Sequence, residues 1–231
     1  MTMRVSAAAA ALAGLFLFAV HPHAQQAAAD SNEARRVRES VTVFNEIMMA
    51  EDNAIPRSIL GKAEAIAVFP NTLKAGFVVG GTRGRGILSA RTESGWSAPA
   101  FLTVTGGSFG LQIGGQASDV ILVITNRRGL ENLVANQFKI GADASVAAGP
   151  VGRDAQAATD IQLRAQILSY SRARGLFAGV TVNGSTIRQD RDANERFYGK
   201  RLDTRQVVLG GEAGAPEPVG LWREALERYA R

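Results

Sequence analysis

From Ala65 onward the chain is a succession of short apolar, β-branched runs cut by glycine: "AIAVFP", "AGFVVGG", "GILSAR", "PAFLTVTGG", "DVILVITN", "GLFAGVTVNG" and "STIRQD". Val, Ile, Thr and Phe suit a pleated surface, and the glycines between them bend or end it, so these runs read as strands. The spacings are too short for repeated helical crossovers, which makes the sheet mostly antiparallel. "VILVI", Val120 to Ile124, is apolar on both faces and predicts a central, covered strand, whereas "FLTVT" alternates and predicts one exposed face. "NRRGLENLVANQ" is a helical interruption, and Asn183 and Gly184 between "GVTV" and "STIR" signal a two-residue hairpin.

The most glycine-rich stretch, "KAGFVVGGTRGRG" from Lys74 to Gly86, sets five glycines and three cations in thirteen residues. A phosphate loop of the Walker type requires a lysine and then a serine or threonine after the last glycine, but Ile87 and Leu88 follow Gly86. The dinucleotide fingerprint requires glycines at the first, third and sixth places with a helix behind them, and that pattern is also unmet. The stretch therefore reads as a hairpin connection with Arg83 and Arg85 at its tip, either solvated or placed to meet lipid phosphates.

Helices flank the sheet. "DSNEARRVRESVTVFNEIMMAED", Asp30 to Asp52, repeats apolar residues at Val37, Val41, Phe44 and Met48 and predicts an amphipathic helix capped by Asp30, Ser31 or Asn32, with Glu33 in its first turn. Two readings of it stay open. The stripe packs on the domain, or it enters a membrane interface while Arg35, Arg36 and Arg38 meet phosphates. "IPRSILGKAEA" predicts a short helix, with Pro56 at its first position and Gly61 near its end. After the connector "GGEAGAPEPVG", the segment "LWREALERYAR" places Leu221, Trp222, Ala225, Leu226 and Tyr229 on one side of a terminal helix. The expected fold class is α+β: a glycine-rich, mostly antiparallel sheet or barrel-like sandwich with an N-terminal amphipathic helix and a C-terminal helix. The expected segments are 30–52, 53–200 and 201–231.

The opening "MTMRVSAAAAALAGLFLFAVHPHAQQAAAD" puts Arg4 ahead of an apolar run from Ala7 to Val20 and then small residues, the layout of a secretory signal peptide over 1–29. The run's 14 residues fall short of the roughly 20 that span a bilayer. Cleavage after Ala29 or after Ala24 leaves an exported chain, periplasmic or secreted and peripheral to a membrane. There is no cysteine, and the two histidines, His21 and His23, fall in the leader. Histidine triads, cysteine nucleophiles, disulfides and ordinary zinc sites are thereby removed. Carboxylates such as Asp119, Asp143, Asp154 and Asp160 are scattered, so a paired-carboxyl mechanism has no visible anchor. The chain reads as a non-enzyme without a cofactor.

Loss of Arg4 with the leader lowers the net charge from +5 to +4. Cations group at Arg35, Arg36 and Arg38, at Arg83 and Arg85, at Arg127 and Arg128, and at Arg172 and Arg174. Export and the lack of aromatic and basic interleaving argue against nucleic acid, which leaves a phospholipid surface as the anionic partner.

The blocks "IPRSILGKAEAIAVFPNTLKAGFVVGGTRGRGILSAR", "GWSAPAFLTVTGGSFGLQIGGQASDVILVITN", "FKIGADASVAAGPVGRDAQAATD", "ILSYSRARGLFAGVTVNGS" and "ERFYG" resemble, in order, the SYLF domain family of lipid-binding proteins. The likeness runs from about Ile55 to Gly199. It implies a phospholipid-binding module, with phosphoinositides as ligands and, in some eukaryotic members, actin filaments. It also implies that a segment just before the domain, here Asp30 to Asp52, contributes to membrane contact. Many bacterial relatives are lipoproteins, a class this cysteine-free chain departs from. Tyr170, Arg172 and Arg174 of "SYSRARGLF" make a headgroup site or a piece of core and surface. Trp96 and Phe101 read as core around the bend at Pro99. The expected mechanism brings Arg35, Arg36, Arg38, Arg83 and Arg85 to the lipid electrostatically, while Val37, Val41, Phe44 and Met48 insert. The alternative is an envelope scaffold that meets a protein partner through a sheet edge or through the terminal helix with Trp222 and Tyr229, and a third reading holds a lipid chain inside the sheet.

Overall fold

The computed structural model describes residues 31–50, 53–76, 79–109, 114–135, 137–152, 164–173, 176–179, 184–211, 213–214 and 216–231. The leader, Asp154, Asp160, Arg174 and Asn183 lie outside the described residues.

The first element is α1, Asn32–Met49, and Ser31 caps it by accepting from the amide of Ala34 at 3.1 Å. A short turn of helix, α2 (Arg57–Leu60), follows with Pro56 as its N-cap and Gly61 as its C-cap. The β-rich runs then become β1 (Ala65–Gly76), β2 (Val79–Thr92), β3 (Gly95–Trp96), β4 (Ala100–Phe109) and β5 (Gly114–Ile124). Helix α3 (Arg127–Leu133) comes next, capped by the Asn126 side chain. The short strands β6 (Gln137–Lys139) and β7 (Val146–Ala148) lead to β8 (Ile167–Ala173), β9 (Leu176–Gly179) and β10 (Ser185–Gln189). Three helices close the chain: α4 (Arg191–Tyr198), α5 (Thr204–Val208) and α6 (Glu217–Tyr229).

These strands form one sheet that curls into a half-barrel, in the order β6-β10-β4-β2-β1-β5-β8-β7, with β3 on β2 and β9 on β8. Among the described residues the strand pairings are antiparallel except that of β7 with β8. The expected α+β class with a helix at either end is borne out. "VILVI" is indeed covered, lying in β5 between β1 and β8 with Val120 to Ile124 all buried.

Two turn assignments need correction. Strand β1 runs to Gly76, which pairs with Gly80 of β2, so Arg83 and Arg85 stand well within β2, where they pair with Thr105 and Thr103 of β4, and not at a tip. The glycines beside them serve close approach. Strand β1 carries a bulge around Asn71, whose φ is +49°. A Cβ on Gly84 would lie 2.5 Å from Thr72 Oγ1, and one on Gly86 2.5 Å from the Phe69 ring, so only glycine lets β2 pass beneath the bulged strand. The Asn183-Gly184 signal also misleads, because β10 pairs with β4 and β6 while β9 pairs with β8. Gly184 does hold a positive φ, +82°, but it leads into a strand whose neighbours are distant in sequence.

Side chains alternate along each strand and directly paired residues share a face, so the sheet's two faces can be followed across it. One face is the inner core, with Phe69, Leu88, Leu102, Val104, Val120, Leu122, Phe138 and Ile187 all buried. The outer face holds Ile66, Val68, Ile87, Ser89, Phe101, Ile121 and Tyr170, buried in turn. Helices α1 and α6 pack against each other beside it: Phe44 meets the rings of Trp222 at 5.6 Å and Tyr229 at 6.0 Å, and Trp222 Nε1 donates to Ser89 Oγ at 2.9 Å. Arg91 fixes the end of α6, donating to the carbonyls of Leu60, Ala63 and Ala230 while its guanidinium lies 4.7 Å from the centre of the Trp96 ring.

Candidate functional site

Helix α1 crosses the strands. Its start is held over β4 and β10 by Arg36, which pairs with Asp190 at 3.4 Å and sits 5.2 Å from the Phe101 ring centre, and by Glu33, which pairs with Arg196 at 2.8 Å. Its end is held over β5 and β8, where Arg172 bridges Glu46 of α1 and Asp119 of β5, the latter at 2.7 Å. Asp119 also accepts the backbone N–H of Asn71 at 2.9 Å, which ties this cluster to the β1 bulge.

That placement overturns the insertion mechanism. Val37 and Phe44 have no exposed surface, and Val41 and Met48 are partly buried against the core, so the apolar stripe is spent on the body of the protein. The first of the two readings of this helix is the one realised. Arg36 is buried as well, and desolvation holds its pKa below the ordinary arginine value despite the neighbouring Asp190 and Glu33 carboxylates. Arg38 pairs with Glu217 at 3.2 Å, so of the three helix arginines only Arg35 is well exposed, and it bonds to Asn32 and Glu39 on its own helix.

Tyr170 is core and no headgroup ligand: it has no exposed surface, its ring covers Gly149, and burial raises its phenol pKa above the ordinary value. Arg172 is committed to carboxylates. Trp222 is fully buried, which removes it from any recognition surface on the terminal helix, and Tyr229 is packed against the same core.

Arg83 and Arg85 have another fate. They lie on the outer face one and two steps beyond Ile87, where the helices no longer cover the sheet, and both are exposed. The register then gathers other residues around them. Arg85 pairs with Thr103, which pairs with Arg188 of β10. Arg83 pairs with Thr105 on one side and Leu73 of β1 on the other, and Thr105 continues through Thr186 to Lys139 of β6. Arg188 and Lys139 are exposed, and Leu73 keeps 59% of its surface in solvent. Among the described residues none of the four cations has an ion pair, and the positive field of Arg85 reaches Arg36, contributing to the lowering of its pKa.

Arg188, Lys139 and Leu73 were invisible as site residues in the sequence. Alternation within "STIRQ" puts Thr186 and Arg188 on one face, but nothing in the chain tells that β10 lies beside β4 rather than β9. Among the described residues no group of three His, Cys, Asp or Glu could hold a metal ion, and no helix is long and apolar enough to cross a membrane.

Comparison with known proteins sets this geometry in a family. The family profile described as "Ysc84: Las17-binding protein actin regulator" matches residues 105–229. LAS seventeen-binding protein 3 of Saccharomyces cerevisiae is 33% identical over 205 residues, which is 87% of this chain and 44% of the yeast protein. Protein YSC84 of the same yeast is 32% identical over 87% of this chain and 43% of its own length. Human SH3 domain-containing YSC84-like protein 1 is 31% identical over 78% of this chain and 53% of its own length. The chain thus spans about half the length of the curated relatives it matches. The profile match, over more than half of the chain, and relatives 33% and 31% identical over most of it show the family: the chain belongs to the Ysc84 family, the SYLF domain proteins.

Proposed function

We propose that this protein is a non-catalytic binding module that works at an anionic phospholipid surface, with the uncovered part of the outer sheet face as its contact. The observation that carries this reading is the cluster of Arg83, Arg85, Arg188 and Lys139 on one exposed face without carboxylate partners among the described residues. Each basic side chain near an anionic membrane contributes about 1 kcal/mol, so such a face adheres through several weak contacts. Exposed Leu73 beside Arg83 supplies a shallow apolar contact of the kind interfacial proteins use. The leader-like opening supports an exported location, which cell fractionation tests: recovery in the cytosolic fraction would reject it. Cosedimentation with phosphatidylcholine vesicles, with and without phosphatidylserine, tests the lipid reading. Binding should require the anionic lipid and fall by at least tenfold in the R83E/R85E variant; equal binding to neutral vesicles defeats the proposal.

A second reading, a protein partner, is favoured by the names of the relatives, one of which is called a LAS seventeen-binding protein. Its docking sites here would be the short edge strands β6 and β7 or the same cationic face, since α6 buries Trp222. Crosslinking followed by mass spectrometry separates the two: one stoichiometric protein partner in a chain that ignores vesicles favours the second.

A further inference from the structure

Resting on the membrane reading above, we infer that the cationic face responds to the charge density of several lipid headgroups in an anionic bilayer and not to the stereochemistry of a single headgroup. The sheet holds the cations in a lattice. Strands lie about 4.8 Å apart and residues two apart on a strand about 6.8 Å, so Arg85 and Arg188, separated by Thr103, stand about 10 Å apart, and Arg83 about 7 Å from Arg85. Lys139 lies three strands from Arg83, about 14 Å across the sheet.

A site for one phosphorylated headgroup converges donors on a point, as bidentate arginines or a nest of amides do. Here the short side chains of Thr103, Thr105 and Thr186 intervene between the cations, and each cation springs from its own place on a pleated face. Four cations spread over about 7 to 14 Å of one face present a broad field of charge in place of a single convergent pocket, which suits several headgroups at once. Leu73, in register with Arg83, adds an exposed apolar side chain to the same array.

The test measures cosedimentation of the protein with phosphatidylcholine vesicles carrying phosphatidylserine, phosphatidylglycerol or phosphatidylinositol, mixed to equal surface charge, over a range of salt. Affinities are expected to agree within about twofold across the three lipids and to fall steeply with salt. The single variants R83Q, R85Q, R188Q and K139Q should each lose about fivefold, the equivalent of about 1 kcal/mol per basic residue. Millimolar glycerophosphoserine or inositol phosphate should displace nothing. A tenfold preference for one lipid at matched charge, displacement by a soluble headgroup, or one variant abolishing binding while the other three leave it intact overturns the inference and leaves the membrane reading standing. Undiminished binding in the variant carrying all four substitutions puts the contact elsewhere and also overturns it. No binding to any anionic vesicle at low salt, by a chain whose circular dichroism is native, removes the membrane reading and this inference with it.

Discussion

At the scale of single residues the glycines and one tyrosine make the sharpest claims. Gly86 lies under the Phe69 ring and the Val68 carbonyl, so the Cβ of Gly86→Ala has no room without moving the β1 bulge. Overpacking of this kind costs roughly 1–3 kcal/mol, and urea unfolding of G86A should show a loss in that range. Tyr170 is the converse case. Its hydroxyl is buried without a hydrogen-bond partner among the described residues, and burial raises its pKa from the ordinary 10.0. Below pH 10 the phenol is neutral folded or unfolded; above it the unfolded chain ionises first, so this residue subtracts stability as alkalinity grows. Tyr170→Phe should be neutral or stabilising by up to about 1 kcal/mol at pH 7 and should lessen the alkaline decline, read from thermal unfolding at stepped pH. Neither role could be read from sequence: the glycine-rich stretch announced itself, but its purpose depended on which strand bulged over it.

At the scale of elements, local signals were legible and pairings were not. The α1 helix, its Ser31 cap, the short helices at Arg57 and Arg127, and the covered strand from Val120 to Ile124 follow from periodicity and capping chemistry within a few residues of chain. The neighbours of β10 depend on strands far off in sequence, and with them went the location of Arg188 and Lys139. The direction of the α1 stripe was undecided for a similar reason, since an amphipathic helix of basic character suits a protein surface and a membrane equally well. Its attachment through Arg172 can be measured. Arg172→Met leaves Asp119, of which only 7% is exposed, with the Asn71 amide but without its cation, and removes Glu46's partner across the helix–sheet contact. Because Arg172 is partly exposed, the expected loss is about 2–4 kcal/mol, at or below the range for fully buried pairs, and chemical denaturation of R172M checks it.

For the molecule as a whole, the first and last described helices are stitched together. Phe44 of α1 packs on Trp222 and Tyr229 of α6, while Arg91 and Trp96 both hold the Ala230 carbonyl. A variant ending before Leu221 should therefore lose its cooperative thermal transition altogether, rather than retain a native sheet with a loose helix; calorimetry distinguishes the two. The same closure explains why one part of the outer sheet face is left bare, since the two helices cover the rows from Ile87 toward Arg91 and stop short of Arg85.

The packing of α1 on α6 also sets an order of events at birth. The greasy side of α1, with Phe44, leaves the ribosome long before Trp222, the residue that shields it. Until α6 is made that stripe has no native neighbour on its α6 side, so the nascent chain presents an adhesive segment that a holding chaperone is expected to cover in the interval.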